Sequence, residues 1–272
     1  MTFAVVGHNE AGTIADAARQ VRAAAAVGDA TVFVDSASTD DSAARAEAAG
    51  LTVWAAPIGK GAAMKHALGR ARGEWLIFLD ADIFGSERNL ASALADGVRG
   101  HPDAGMVIGD FSDKDPGGVL SNTIGVYEPL IAALFPEVEG QCGSKPLTGF
   151  RAVRRSAIAD PARLPDDFGI ESWLNVEVGI GRRGLEVVDL GWYEGRFLYK
   201  PTMGCEIGRA CLDAAECFGR LDPRVRPAWE GWVAEVVDVV AGYDGSAGQR
   251  RGYLQRLDEV RTRPLPADGL TG

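Results

Sequence analysis

Apolar and polar positions follow two alternating rhythms in the N-terminal part of the chain. TFAVVG (2–7), TVFVD (31–35), LTVWAA (51–56) and WLIFLD (75–80) are near-continuous apolar runs, the pattern of strands buried on both faces. Between them, TIADAARQVRAAAAV repeats Ile14, Ala18, Val21 and Ala25 at helical spacing. Residues 40–49 form a second helical stretch, and GAAMKHALGRA forms a third just after a glycine pair. Strand–helix alternation of this kind predicts right-handed crossovers and an open α/β sheet, mostly parallel, with helices on both faces. Ligands of such sheets sit at the carboxyl ends of the strands, where Asp35, Lys60, Asp80 and Asp82 all fall.

Beyond residue 100 the rhythm changes. MVIGDF predicts a strand, DKDPGGVLSN a loop, residues 122–135 a helix and LEVVDLGWY another strand. A helix-rich stretch follows from about residue 203, and RPLPADGLTG reads as a loose tail.

Charge and composition narrow the partners. Lysine plus arginine number 28 against 38 aspartates and glutamates, a net charge of -10, which argues against a nucleic-acid groove or an anionic membrane surface. No run is long and apolar enough to span a bilayer; IGVYEPLIAALF is broken by Glu128 and Pro129, and MTFAVVGHNEAG lacks the basic start and cleavage site of a secretion signal. Cys142, Cys205, Cys211 and Cys217 form no Cys-x-x-Cys pair and read as reduced thiols of a cytoplasmic protein. GIGRRG (179–184) matches a dinucleotide fingerprint, but it follows a helix and precedes a strand, the reverse of the required context.

The chemistry concentrates at the strand ends. Asp80 and Asp82 are one residue apart, so strand alternation points them to one side, where they repel unless a positive charge joins them. A divalent cation that bridges carboxylates and substrate phosphates answers that repulsion; the alternative is a helix cap beside a solvated acid. Asn9 and Glu10 after the first strand, and Asp35 and Ser36 after the second, offer polar groups to a nucleobase and ribose, while Ser38, Thr39 and Asp40 suit a helix cap. Lys60 lies between two glycines that would let the backbone approach a diphosphate at a helix start.

The ordered set NE, VDSxSTD, GKGxAxxxA and FLDAD resembles the nucleotide-sugar half of GT-A fold glycosyltransferases of the family 2 type. KPLTGFRAVRRSAI, DDFGIESWLNVEVG and LEVVDLG are similar to the corresponding segments of glucosyl-3-phosphoglycerate and mannosylglycerate-type synthases, which are retaining enzymes. The resemblance implies a GT-A domain over 1–203, with a donor half (1–100) and an acceptor half (101–203), a helical extension over 204–262 and a flexible tail over 263–272. It implies a UDP- or GDP-linked sugar held by Gly7, His8, Glu10, Asp35, Ser36, Lys60 and Asp80, and Mg2+ or Mn2+ held by Asp82. Asp80 would support the donor sugar or ribose, and Glu171 would face sugar and acceptor as the catalytic glutamate, its alternative being a helix cap. A homodimer through the C-terminal helices is implied as well.

Three positions depart from the family pattern. Val119 stands where an acceptor-phosphate arginine is expected and Phe150 where PLxGE has glutamate. Gly195 replaces the metal-binding histidine, leaving Glu194, or diphosphate oxygens and water, to complete the shell. These losses favour a small soluble acceptor other than phosphoglycerate, apolar or zwitterionic and of the kind found in specialised metabolism, against Val119, Phe150, Trp192 and Tyr193. Phosphoglycerate itself, a nucleotidyltransferase, and a non-catalytic sugar-nucleotide-binding protein are the competing readings.

Overall fold

A computed structural model describes residues 1–113, 121–195, 200, 202–241 and 248–266. Its first part follows the predicted alternation: β1 (Thr2–Gly7), α1 (Ile14–Ala24), β2 (Ala30–Ser36), α2 (Ser42–Ala48), β3 (Thr52–Ala56), α3 (Lys60–Arg70) and β4 (Trp75–Asp80). Then come β5 (Ile83–Ser86), α4 (Leu90–Gly100), β6 (Met106–Asp113), a π-helical turn Thr123–Tyr127 running into α5 (Glu128–Leu134), β7 (Arg151–Arg154), α6 (Ile170–Gly179) and β8 (Leu185–Gly195). The helices α7 (Met203–Cys217), α8 (Arg226–Val240) and α9 (Arg250–Arg261) complete the described chain. Val119 lies outside the described residues, as does the end of the predicted tail.

One sheet holds all these strands in the order β3-β2-β1-β4-β7-β6-β8-β5. The pairings β3-β2, β2-β1, β1-β4 and β6-β8 are parallel, whereas β7 runs antiparallel to both β4 and β6, and β5 antiparallel to β8. This is the expected GT-A architecture, an α/β sheet with helices on both faces followed by further helices. Alternation along the strands sorts the core: Phe3, Val5, Ile77 and Leu79 pack with α1 and α4 on one face, and Ala4, Val6, Leu76 and Phe78 pack with α3, α6 and the C-terminal helices on the other. Truncating a fully buried phenylalanine such as Phe3 costs about 3–5 kcal/mol.

The predicted helix over 122–135 carries a π turn, Thr123–Tyr127, near its start. Pro129 has no N–H for the carbonyl four residues earlier and its ring crowds that carbonyl, so the preceding turn widens. No helix among the described residues is long and apolar enough to cross a membrane.

The chain runs from β1 outward to β2 and β3, then crosses back to β4 on the other side of β1. That reversal opens a crevice above the carboxyl ends of β1 and β4, the position where doubly wound sheets bind ligands.

Candidate active site

A cavity of about 420 Å³ fills this crevice. Gly7, His8, Glu10, Ser36, Lys60, Asp80 and Asp82 of the predicted set all line it. β4 ends at Asp80, and Ala81 still donates to Val6 O (3.0 Å), so Asp82 is the first residue to turn away, yet both carboxylates face the cavity. Gly7 makes that turn possible: a Cβ there would lie 2.7 Å from Ala81 Cβ.

Lys60 Nζ lies between two carboxylates, 3.0 Å from Asp80 Oδ1 and 2.6 Å from Glu171 Oε1. Burial alone would lower its pKa, but the charges of Asp80 and Glu171 overcome burial and raise it well above the usual lysine range. Among the described residues Asp82 has no such cation at ion-pair distance. Burial first, then the charges of Asp80 and Glu10, push its carboxyl up to about 6, against which Lys60 helps only in part. The Tyr193 hydroxyl, 3.4 Å from Asp82 Oδ1, is too distant to offset this. Among the described residues an ionised Asp82 therefore has no cation at ion-pair distance.

Those donors fit a hard divalent cation. Asp80 and Asp82 offer carboxylate oxygens, and no group of three or more His, Cys, Asp or Glu among the described residues could enclose an ion. A metal here would take most of its shell from substrate phosphates and water, as Mg2+ and Mn2+ do.

The glycines flanking Lys60 serve a different purpose from the one their spacing suggests. A Cβ at Gly59 would lie 2.3 Å from Asp166 O, and one at Gly61 2.1 Å from Pro165 O. Ala62 N donates to Asp166 O (2.9 Å), so the chain's own 165–167 loop occupies the start of α3 where a diphosphate was expected. Lys65 pairs with Asp166 at 2.7 Å and holds the loop there. The cavity gains another lysine that sequence reasoning missed: Lys200, whose Nζ stands 3.9 Å over the Phe168 ring. Burial and the charge of Lys60 lower its pKa. A lone lysine before a proline carries no spacing signal, so only the fold reveals it.

On the opposite side, His8 Nδ1 is 2.8 Å from Ser36 O, a carbonyl that fixes the proton on Nδ1 and leaves Nε2 to accept from Asn9 Nδ2 (3.1 Å). Asn9, at φ 58, accepts the Thr39 N–H on its Oδ1 (2.8 Å) and so ties the loops after β1 and β2 together. Asp35 accepts the Ser38 N–H (3.0 Å) and does not line the cavity. Asp40 accepts from Ser42 N (2.9 Å) from one residue before the N-cap, which is Asp41 and not Asp40 as expected.

Two further expectations meet a different geometry. Glu171, in the first turn of α6, is 1% exposed and reaches Lys60, not the cavity wall. Glu194 is exposed on β8 opposite Gly85; strand alternation directs it away from the side on which Tyr193 approaches Asp82, so it is not brought to the acidic pair. Phe150 is 1% exposed and packs edge-on against Phe111 and Tyr193 at 5.7 and 4.8 Å between ring centres. Those aromatic positions belong to the core, not to an acceptor wall.

Comparison with known proteins bears on this geometry. The profile for glycosyl transferase family 2 matches residues 2–137. A glucosyl-3-phosphoglycerate synthase of Mycolicibacterium paratuberculosis is 32% identical over 190 residues, covering 62% of this chain and 56% of the relative. The glycosyltransferase AglJ of Haloferax volcanii is 33% identical over 184 residues, covering 66% and 57%. The chain thus spans a little over half the length of the curated relatives it matches. In fold it resembles glucosyl-3-phosphoglycerate synthase from Mycobacterium tuberculosis, crystallised with Mg2+ and uridine diphosphate, at TM-score 0.67 and 24% identity over 79% of each chain. The profile match takes in half of the sequence and every strand that frames the crevice between β1 and β4, and on that ground the chain belongs to glycosyl transferase family 2.

Proposed function

We propose that this chain transfers a sugar from a nucleoside diphosphate, UDP- or GDP-linked, to a small soluble acceptor with retention at the anomeric carbon. The observation that carries the reading is the Asp82 carboxylate, which among the described residues has no cation at ion-pair distance, beside Asp80 and Glu10 in the crevice over β1 and β4. The Mycobacterium tuberculosis enzyme named above, bound to Mg2+ and uridine diphosphate, supports the donor class and the cation. Residues 1–100 then act as the donor half, 101–203 as the acceptor half and 204–262 as a helical extension through which two copies associate.

Asp82, with Asp80 beside it, would hold Mg2+ or Mn2+. When bound, the ion neutralises charge growing on the departing diphosphate. Lys200 approaches the same phosphates from the Phe168 side. His8 and Ser36 face the nucleoside end, their positions fixed by the hydrogen bond between them. Lys60, held between Asp80 and Glu171, fixes the Asp80 carboxylate in place toward the donor; Glu171 acts through Lys60. In the transfer the bond from sugar C1 to the diphosphate oxygen breaks, a bond from C1 to the acceptor atom forms, and the acceptor proton leaves to the diphosphate or solvent.

Phe150, in the core where a polar acceptor contact is expected, favours an acceptor other than phosphoglycerate. The phosphoglycerate reading is favoured by the curated relative of that name. Incubation with UDP-glucose or GDP-mannose, Mn2+ and an acceptor panel that includes 3-phosphoglycerate decides between them, with products read by mass spectrometry and anomeric configuration by NMR. Divalent-dependent release of nucleoside diphosphate that Asp82→Ala abolishes is the expected result; no turnover and no donor binding under any condition would refute the transferase reading.

A further inference from the structure

Behind the acidic pair lies a cation that touches nothing in the cavity. Arg151, the first residue of β7, is 0% exposed and sits in the middle of the sheet between Phe78 of β4 and Ile108 of β6. Its hydrogen bonds go to neutral acceptors. Nε donates to Thr148 O (2.9 Å), and Nη2 to Thr148 O and Pro146 O (3.1 Å for the latter). Nη1 donates to Asn175 Oδ1 (3.1 Å) and to Glu171 O (3.4 Å). Asn175 in turn donates to Pro146 O (2.8 Å) and to the Tyr127 hydroxyl (3.0 Å). Among the described residues no carboxylate lies within ion-pair distance of the guanidinium. A buried charge with no carboxylate in direct contact is expensive, so what it holds in place must matter.

It holds two things. The Pro146–Thr148 carbonyls fix the turn that ends at Gly149, and Gly149 lies directly against Asp80: a Cβ there would stand 2.3 Å from Asp80 Oδ1 and 2.4 Å from Oδ2. The Glu171 carbonyl and the Asn175 side chain fix the first turns of α6, from which the Glu171 carboxylate reaches Lys60. One planar fork therefore sets the wall behind Asp80 and the base of Glu171 together. Lysine cannot reproduce this, because its ammonium is a single point and cannot span several divergent carbonyls.

We infer that Arg151 is a positioning residue for the donor site: through the 146–149 turn and the start of α6 it fixes the two carboxylates that grip Lys60, and through Asp80 the geometry in which a divalent cation meets a nucleoside diphosphate. The inference rests on the donor-site reading of the cavity.

Calorimetric titration of the full chain with UDP, with and without Mn2+, tests it on wild type, Arg151→Lys and Gly149→Ala, with circular dichroism to establish folding. In folded Arg151→Lys the Mn2+-dependent gain in UDP affinity falls tenfold or more, while affinity for UDP alone stays within about twofold. An unchanged Mn2+ gain, or equal losses with and without Mn2+, makes Arg151 a core residue only and overturns the inference. Should Arg151→Lys fail to fold, Gly149→Ala decides: it presses on Asp80 without removing a buried hydrogen bond, so loss of the Mn2+ gain supports the inference and its retention overturns it. Wild type that binds neither UDP nor GDP, titrated in the same way, refutes the donor-site reading itself, and the inference falls with it.

Discussion

Lys60 and Glu171 meet at 2.6 Å, and only 1% of the glutamate is exposed. Removing the lysine strands that carboxylate and leaves Asp80 without its cation. Lys60→Met should cost about 3–5 kcal/mol of stability. Lys60→Met with Glu171→Gln should recover part of the loss, because the amide carries no charge to strand. Chemical denaturation of both variants checks this, and a single mutant as stable as wild type would remove the triad from the list of structural supports.

Asp82 predicts a pH effect of unusual sign. Its folded carboxyl titrates at about 6 against an ordinary 3.8, so its contribution to stability is fully present below the unfolded value and is lost as pH rises through 6. Without divalent metal, Asp82→Asn should therefore be more stable than wild type at pH 8, by about 1–2 kcal/mol once partial solvent contact is discounted. The gap should close below pH 4. Thermal melts in EDTA across this range measure it, and added Mn2+ with UDP should favour wild type.

Lys200 is expected to bear on donor affinity, not on folding. Lys200→Met should weaken UDP binding about tenfold and reduce its dependence on salt, with the melting temperature unchanged. Binding measured at two ionic strengths gives both numbers; equal affinities for variant and wild type would leave Lys200 as a partner of Phe168 alone.

Gly61→Ala separates packing from phosphate binding. The added methyl would collide with a backbone carbonyl, Pro165 O, at 2.1 Å, which should cost about 1–3 kcal/mol of stability. A cradle for phosphate would instead show lost UDP affinity at wild-type stability. Denaturation and titration of the same preparation distinguish the two.

The donor half of the fold is legible in the sequence because each buried strand is a dense apolar run and each helix repeats at its own period. The strands β5 and β7 are not: IFGS is four residues with a glycine, and RAVR carries two arginines. Their place in the sheet is set by partners far along the chain, with Arg154 stacked on the Trp75 ring and Arg151 buried among carbonyls. α4 does carry a signal, Leu90, Leu94 and Val98 at helical spacing. In the site, position at the strand ends marked Glu10, Ser36, Lys60, Asp80 and Asp82, and the family resemblance added Gly7 and His8. Spacing could not foretell that the protein's own Pro165–Asp167 backbone would fill the glycine pair, since glycine signals close approach without naming what approaches.

The position of β7 between β4 and β6 has a practical corollary for anyone trimming this protein. A fragment that stops at residue 137, where the family match ends, would lack the strand that joins the sheet's two halves and would leave one flank of β4 unzipped in water. β5 would lose its partner β8 as well. The segment that the family profile matches is thus not a unit of folding, and any shortened version of the protein should run through β8 at the least.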